Sequence, residues 1–306
     1  MITNISVIGA GIMGNGIAHV FAENGYSVTL VDLNEEVLKN AIRTIEKNLS
    51  RQVSKGLITE TQKHVALGRI VTQTNLATGV NVADLVVEAA TEDLQLKLKI
   101  FQKIDEGAPI DAILSTNTSS ISVTKIAKST KRPDRVIGMH FMNPVPVMRL
   151  VEIVNGYRTA KEVTEIIADL AKRINKVPCI VNDYPGFIAN RLLMPMINEA
   201  IYSVQQGVAG VREIDTIMKL GMAHPMGPLQ LADFIGLDTC RAIMLVLFDG
   251  FGDSKYAPCP LLTNMVNAGY LGVKSGEGFY LYRPGNKEAI VSPRLSGDRA
   301  PSFRES

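Results

Sequence analysis

Two hydrophobic rhythms alternate through the first 185 residues. Short β-branched and aliphatic runs at 4–9 (NISVIG), 27–32 (SVTLVD), 83–89 (ADLVVEA), 112–116, 135–141 (RVIGMHF), 149–154 (RLVEIV) and 178–182 predict strands, and amphipathic stretches between them predict helices. Apolar strands separated by helices indicate an α/β fold, a doubly wound parallel sheet of the Rossmann type covered on both faces. The connection over 34–68 is longer than one crossover helix. Val37, Leu38, Ala41, Ile45, Leu49 and Val53 keep one apolar face from a capping Asn34, and a short helix over 59–67 folds back, which predicts a projecting helical hairpin. After DYPGF (183–187) the rhythm changes. Helical patterns follow at 188–206, 211–220, 228–249 and 259–269, with Pro195 expected to kink the first, and no strand is expected before GFYLY at 278–282. The expected organisation is a first domain over 1–185, an all-helical domain over 186–282 and, from Arg283 to Ser306, an aperiodic, mobile tail.

Composition narrows the class without choosing a function. The chain has 306 residues, 46% hydrophobic and 20% charged, with a formal net charge of +2, so no bulk attraction to nucleic acid or membrane is expected. It contains no apolar run of membrane-spanning length and opens on a strand rather than a targeting segment; a cytoplasmic protein is expected, a mitochondrial matrix location after processing remaining open. Cys179, Cys240 and Cys259 are far apart, and no His, Cys, Asp and Glu cluster has metal-ligand spacing, so a metal-free site is expected.

Chemistry enters first at VIGAGIMGNGIA. Gly9-x-Gly11-x-x-Gly14 follows a strand and opens a helix, the arrangement that lets backbone approach a pyrophosphate at a helix N-terminus. Asp32 closes the second strand where a carboxylate would accept from a ribose 2′-hydroxyl, and the residues after it, Leu33 and Asn34, supply no cation for a 2′-phosphate. The expected cofactor is NAD.

The second candidate is GMHFMNPVPVMRLVEIV (138–154), which places His140 and Glu152 inside otherwise apolar strands joined by a proline-containing connection. Spacing leaves two readings open: polar residues satisfied in the interior, or an imidazole base steadied by a carboxylate, as removal of an alcohol proton requires. Ser119 in NTSS lies beyond a strand at the carboxyl edge of the sheet, where it is a ligand residue or a helix cap; Ser120 or Ser122 could also cap. Asn190 falls in the first turn of the helix after YPGF, where an amide could donate to an oxygen gathering charge. His19 and His224 read as structural or packing residues and His64 as a surface one.

Taken together, VIGAGIMGNGIA, VVEAATED, STNTSSISVTKIA, GMHFMNPVPVMRLVEIV, NDYPGFIANRLLMPMINEA, HPMGPLQLADFIGLD and GVKSGEGFY resemble the L-3-hydroxyacyl-CoA dehydrogenase family, its short monofunctional 3-hydroxybutyryl-CoA type, through about residue 282. The resemblance implies an NAD-dependent oxidoreductase of fatty-acid or butanoate metabolism, interconverting (S)-3-hydroxyacyl-CoA and 3-oxoacyl-CoA. It implies a homodimer formed through the helical domain. It makes His140 the catalytic base and Glu152 its partner, with Ser119 and Asn190 near the reacting oxygen. It places NAD contacts at Gly9, Ala10, Gly11, Ile12, Met13, Gly14, Asp32, Glu92, Lys97, Ser119, Asn143 and Lys274, and CoA contacts at Asn48 and Lys55. A basic residue every four positions (Lys39, Arg43, Lys47, Arg51, Lys55) independently gives the long helix of the 34–68 hairpin one cationic side on which CoA phosphates could land. The alternatives are a 3-hydroxyacid dehydrogenase whose substrates lack CoA, and a non-catalytic, crystallin-like NAD-binding protein.

Overall fold

The computed structural model describes residues 2–283 and 290–295, and its packing divides after Phe187 into two compact units. In the first unit, β1 (Asn4–Ile8), α1 (Ile12–Glu23), β2 (Ser27–Val31), α2 (Glu35–Ser54), α3 (Glu60–Gly68) and β3 (Ile70–Gln73) build one half of a sheet. The other half is α4 (Leu76–Val80), β4 (Leu85–Glu88), α5 (Leu94–Gly107), β5 (Ile113–Thr116), α6 (Val123–Ala127), β6 (Val136–Phe141), β7 (Leu150–Asn155), α7 (Lys161–Arg173) and β8 (Val177–Asn182). The order is β3-β2-β1-β4-β5-β6-β7-β8, so the chain reverses its winding between β1 and β4, the switch point at which doubly wound folds bind ligands. All pairs are parallel except β6 with β7.

The sheet forms because its central strands are apolar on both faces. Ile5, Val7, Leu30, Leu85, Val87, Ile113, Ile137 and Ile153 join the α1 and α2 side of the core, while Val31, Val86, Leu114, Val136 and Val154 face Phe101, Ile104 and Ile126. Asn34 caps α2, its Oδ1 accepting from Glu36 N at 2.9 Å, and Leu38, Ala41, Ile45 and Leu49 bury the helix. Thr59 and Gln62 close a reciprocal capping box on α3, completing the expected hairpin. β3 was not anticipated: of its four residues only Ile70 and Val71 are apolar, because as an edge strand it is half solvated.

The second unit is helical: α8 (Ala189–Gln205), α9 (Val211–Gly221), α10 (Pro228–Ile235), α11 (Leu237–Phe251) and α12 (Pro260–Asn267), then a hairpin of β9 (Tyr280–Leu281) with β10 (Ile290–Val291). Two expectations are corrected here. The helix read over 228–249 is two helices, because Gly236 has φ +100°, outside any helix. The stretch read as a mobile tail contains β10, and Val291 and Leu295 pack against the helical core; residues 284–289 and 296–306 lie outside the described ones. Pro195 lies inside α8, which is one continuous helix. Among the described residues no helix is long and apolar enough to cross a membrane, and no group of three or more His, Cys, Asp or Glu could hold a metal ion.

Candidate active site

The glycine turn is held by contacts that only glycine permits. Gly9 has φ +97°, and an added Cβ would meet Ala89 O at 2.7 Å; one on Gly14 would meet Gly9 O at 1.7 Å. Over Gly11 there is open space, and α1 begins there without a side-chain cap, so its first N–H groups face outward from the sheet edge. Asp32, half-buried at the end of β2, accepts from Ala10 N at 2.9 Å and Asn34 N at 3.1 Å. The open cradle, uncapped helix and adjacent carboxylate fit a dinucleotide: pyrophosphate above Gly11, flanked by Ala10, Ile12 and Met13, and ribose at Asp32.

The neighbouring strand ends carry a buried charge network. Glu88, fully buried, accepts from Lys97 Nζ at 2.7 and 2.6 Å, from Thr116 Oγ1 at 2.8 Å and from Ala90 N at 2.9 Å. The Lys97 ammonium is thus enclosed, 1% exposed, with Glu92 Oε2 3.8 Å away. Glu92 Oε1 accepts from Thr118 Oγ1 (2.6 Å), Ser119 N (3.0 Å), Ser119 Oγ (3.3 Å), Ser120 N (3.2 Å) and Ser120 Oγ (2.9 Å). Three expected residues, Glu92, Lys97 and Ser119, are therefore joined in one network. Ser122, not Ser119, caps α6, accepting from Lys125 N. Glu88 was missed, although a lone acid within VVEAA is the same kind of signal that singled out Glu152.

His140 and Glu152 are directly opposed in the antiparallel β6–β7 ladder, so both side chains emerge on one face of the sheet. His140 Nδ1 lies 2.7 Å from Glu152 Oε2, with the residues 8% and 2% exposed. Phe187 packs edge-on against the imidazole at 5.8 Å. With Glu152 ionised, Nδ1 is the donor and Nε2 keeps its lone pair, so the imidazole can accept a proton and the carboxylate can stabilise the resulting cation. Asn117 ties the neighbouring loop in, its Oδ1 accepting from Phe141 N at 2.9 Å. Asn143 follows at an exposed position before a cis bond to Pro144.

The remaining expected residues lie on other elements. On α2, Asn48 is half-buried and Lys55 is exposed at the C-cap. Asn190 is the second residue of α8 in the helical unit, and Lys274 there forms an ion pair with Asp238.

This edge unites a dinucleotide cradle with an imidazole–carboxylate pair, and the chain that carries it matches known proteins. The family model for the NAD-binding domain of 3-hydroxyacyl-CoA dehydrogenase matches residues 4–184, and that for the family's C-terminal domain matches 186–282. The chain belongs to the 3-hydroxyacyl-CoA dehydrogenase family. It is an oxidoreductase enzyme whose cofactor is NAD. Its relatives include a probable 3-hydroxybutyryl-CoA dehydrogenase of Bacillus subtilis, 51% identical over 92% of this chain and 98% of that one. The mitochondrial hydroxyacyl-coenzyme A dehydrogenase of Rattus norvegicus is 42% identical over 92% of each. Among solved structures, (S)-3-hydroxybutyryl-CoA dehydrogenase of Ralstonia eutropha superposes with a TM-score of 0.90 at 46% identity, covering 92% of this chain and 100% of that one. Family membership extends over both units and stops short of β10.

Proposed function

We propose that the chain interconverts (S)-3-hydroxyacyl-CoA and 3-oxoacyl-CoA, with 3-hydroxybutyryl-CoA as the fitting substrate, by a His140–Glu152 acid/base pair. The reading rests on one observation, the buried 2.7 Å contact between these opposed residues in a chain of this family. NAD, when bound, supplies the ring that takes hydride from the alcohol carbon or returns it. His140 accepts the hydroxyl proton at Nε2 and gives it back in the reverse direction. Glu152 fixes the ring's tautomer and stabilises its cation where water screens little. Ser119 and Asn190 donate to the substrate oxygen, while Asn48 and Lys55 hold the nucleotide end of CoA. Glu92, Lys97, Asn143 and Lys274 serve the cofactor, Lys97 by anchoring Glu88 and neighbouring Glu92 rather than as an exposed charge. Exposed Leu192, Val208, Leu220 and Met222 on the helical unit support a homodimer formed through it.

The test is NADH consumption on adding acetoacetyl-CoA. Wild type should turn over, and His140→Ala should lose about 10²-fold or more of kcat, the usual worth of a positioned acid/base group. An undiminished His140→Ala enzyme would overturn the assignment. NADH formation from free 3-hydroxyacids and NAD, without turnover of acetoacetyl-CoA, would replace the CoA reading.

A further inference from the structure

Lys176 lies between α7 and β8, 7% exposed, and has no part in the chemistry described above. Its Nζ donates to Val145 O at 2.5 Å and to Met148 O at 2.7 Å. Both carbonyls belong to the connection from β6 to β7, whose own hydrogen bonds include only one turn, Val147 N and Met148 N donating to Pro144 O at 2.9 Å each. Prolines at 144 and 146 lack N–H groups, so the connection has few donors to hold itself. A buried ammonium is costly unless such carbonyls surround it. Burial draws the Lys176 pKa below the ordinary lysine value, and the Glu23 carboxylate on α1 pulls it the other way. Glu23 is in turn 3.2 Å from His19, one turn back on the same helix.

The same connection also packs on α1. Val145 is 2% exposed and packs over Gly16, where an added Cβ would come within 2.9 Å of Val145 Cβ. Gly16 lies one turn into the helix that the dinucleotide cradle opens. The strand ends leading into this loop carry His140 and Glu152, and the loop carries Asn143.

We propose that Lys176 is a positioning residue for the reaction: its ammonium gathers the Val145 and Met148 carbonyls and fixes the β6–β7 connection on α1, setting Asn143 relative to the cofactor cradle. The inference rests on the roles proposed above for His140 and Asn143. It acts through geometry, and displacements of about 1 Å at a reacting centre can cost on the order of 10²-fold in rate.

The experiment compares wild type, Lys176→Met, Lys176→Arg, Asn143→Ala and the Lys176→Met/Asn143→Ala double variant, using acetoacetyl-CoA and NADH and checking folding by circular dichroism. Lys176→Met should lower kcat about tenfold or more and raise KM for NADH, with KM for acetoacetyl-CoA within about twofold, since the CoA handle lies on α2. Lys176→Arg, which keeps the charge, should lose less. In the Asn143→Ala background Lys176→Met should cost less than about threefold, because the loop residue it positions is already gone. A folded Lys176→Met enzyme with wild-type kcat, or the same penalty with and without Asn143, overturns the inference. If Lys176→Met fails to fold, Lys176→Gln, neutral and shorter, decides: kcat lowered at near-native melting temperature supports positioning, and unchanged kcat refutes it. His140→Ala run alongside separates the two readings, since an active His140→Ala enzyme sinks the acid/base assignment itself, whereas an inactive one with normal Lys176→Met sinks only this proposal.

Discussion

Asp233 and Glu152 are both buried carboxylates, placed in opposite company. Glu152 faces an imidazole; Asp233 faces no cation among the described residues, accepting from Phe279 N and Tyr280 N at 2.9 Å and from Tyr282 OH at 3.1 Å, with the Asp215 carboxylate nearby. Burial pushes the Asp233 pKa up from 3.8 to about 6, against the pull of those hydrogen bonds. The native value lies above the unfolded one, so the folded chain binds the extra proton between about pH 4 and pH 6. The stability this group contributes is then fully present below that window and lost as pH rises through it. Asp233→Asn removes the titration, so urea unfolding from pH 4 to 7 should show wild type losing on the order of 3 kcal/mol relative to the variant across the window, and nothing further above it. A pH-independent difference would refute the assignment. Two glycines of GVKSGEGFY make room for the same residue: a Cβ on Gly278 would meet Asp233 Oδ1 at 1.9 Å, and one on Gly272 would meet Asp233 O at 2.3 Å. His140 and Glu152 could be picked out from sequence because each interrupts an apolar strand. Lys176 could not, because nothing about a lysine before a proline-containing strand announces that two distant carbonyls will enclose it.

At the scale of elements, the cationic face of α2 divides in two. Lys39 is paired with Glu36 at 2.8 Å and Arg43 donates to Asn40 Oδ1 at 3.2 Å, whereas Lys47, Arg51 and Lys55 form no ion pair among the described residues. The C-terminal half of the helix is therefore the half with charge available to a polyphosphate, which is where the resemblance places the CoA contact. Lys55→Ala should raise KM for acetoacetyl-CoA about three- to tenfold at low salt with kcat unchanged, and should leave KM for acetoacetyl-pantetheine, which lacks the nucleotide, unaltered. Equal effects on both substrates would place the nucleotide elsewhere. The long amphipathic helix and its Asn34 cap were legible because periodicity accumulates over twenty residues. β3 was not, since four half-solvated residues carry too little pattern, and the break between α10 and α11 was hidden because a single glycine inside an apolar run does not reveal its φ.

Over the molecule as a whole, a core on each face of the sheet stabilises the first unit and a third core the second, which is completed by residues beyond the end of the family match at 282. Ile290 pairs with Leu281 and Val291 with Tyr280, Ser292 Oγ donates to Glu277 Oε1 at 2.7 Å, and the Arg294 guanidinium stacks 4.6 Å from the Tyr270 ring. A strand of two residues has no period, so this clasp was invisible in the sequence and became apparent only through what it touches. Half-burying Val291 and Leu295 is worth about 1 kcal/mol each, less the entropy of ordering the segment. The clasp lies among α12 and the β9 hairpin and contributes no residue to the acid/base pair or the glycine turn. Ending the chain at Arg283 should therefore lower the melting temperature by a few degrees while leaving kcat and both KM values near wild type. Leu295→Ala should reproduce part of that loss in the full-length chain, because it removes the packing but keeps the β9–β10 pairing. A truncated enzyme as stable as the full chain would mean that ordering the segment costs as much as its contacts return; a truncated enzyme with reduced kcat would mean that the clasp reaches the chemistry through the helical unit.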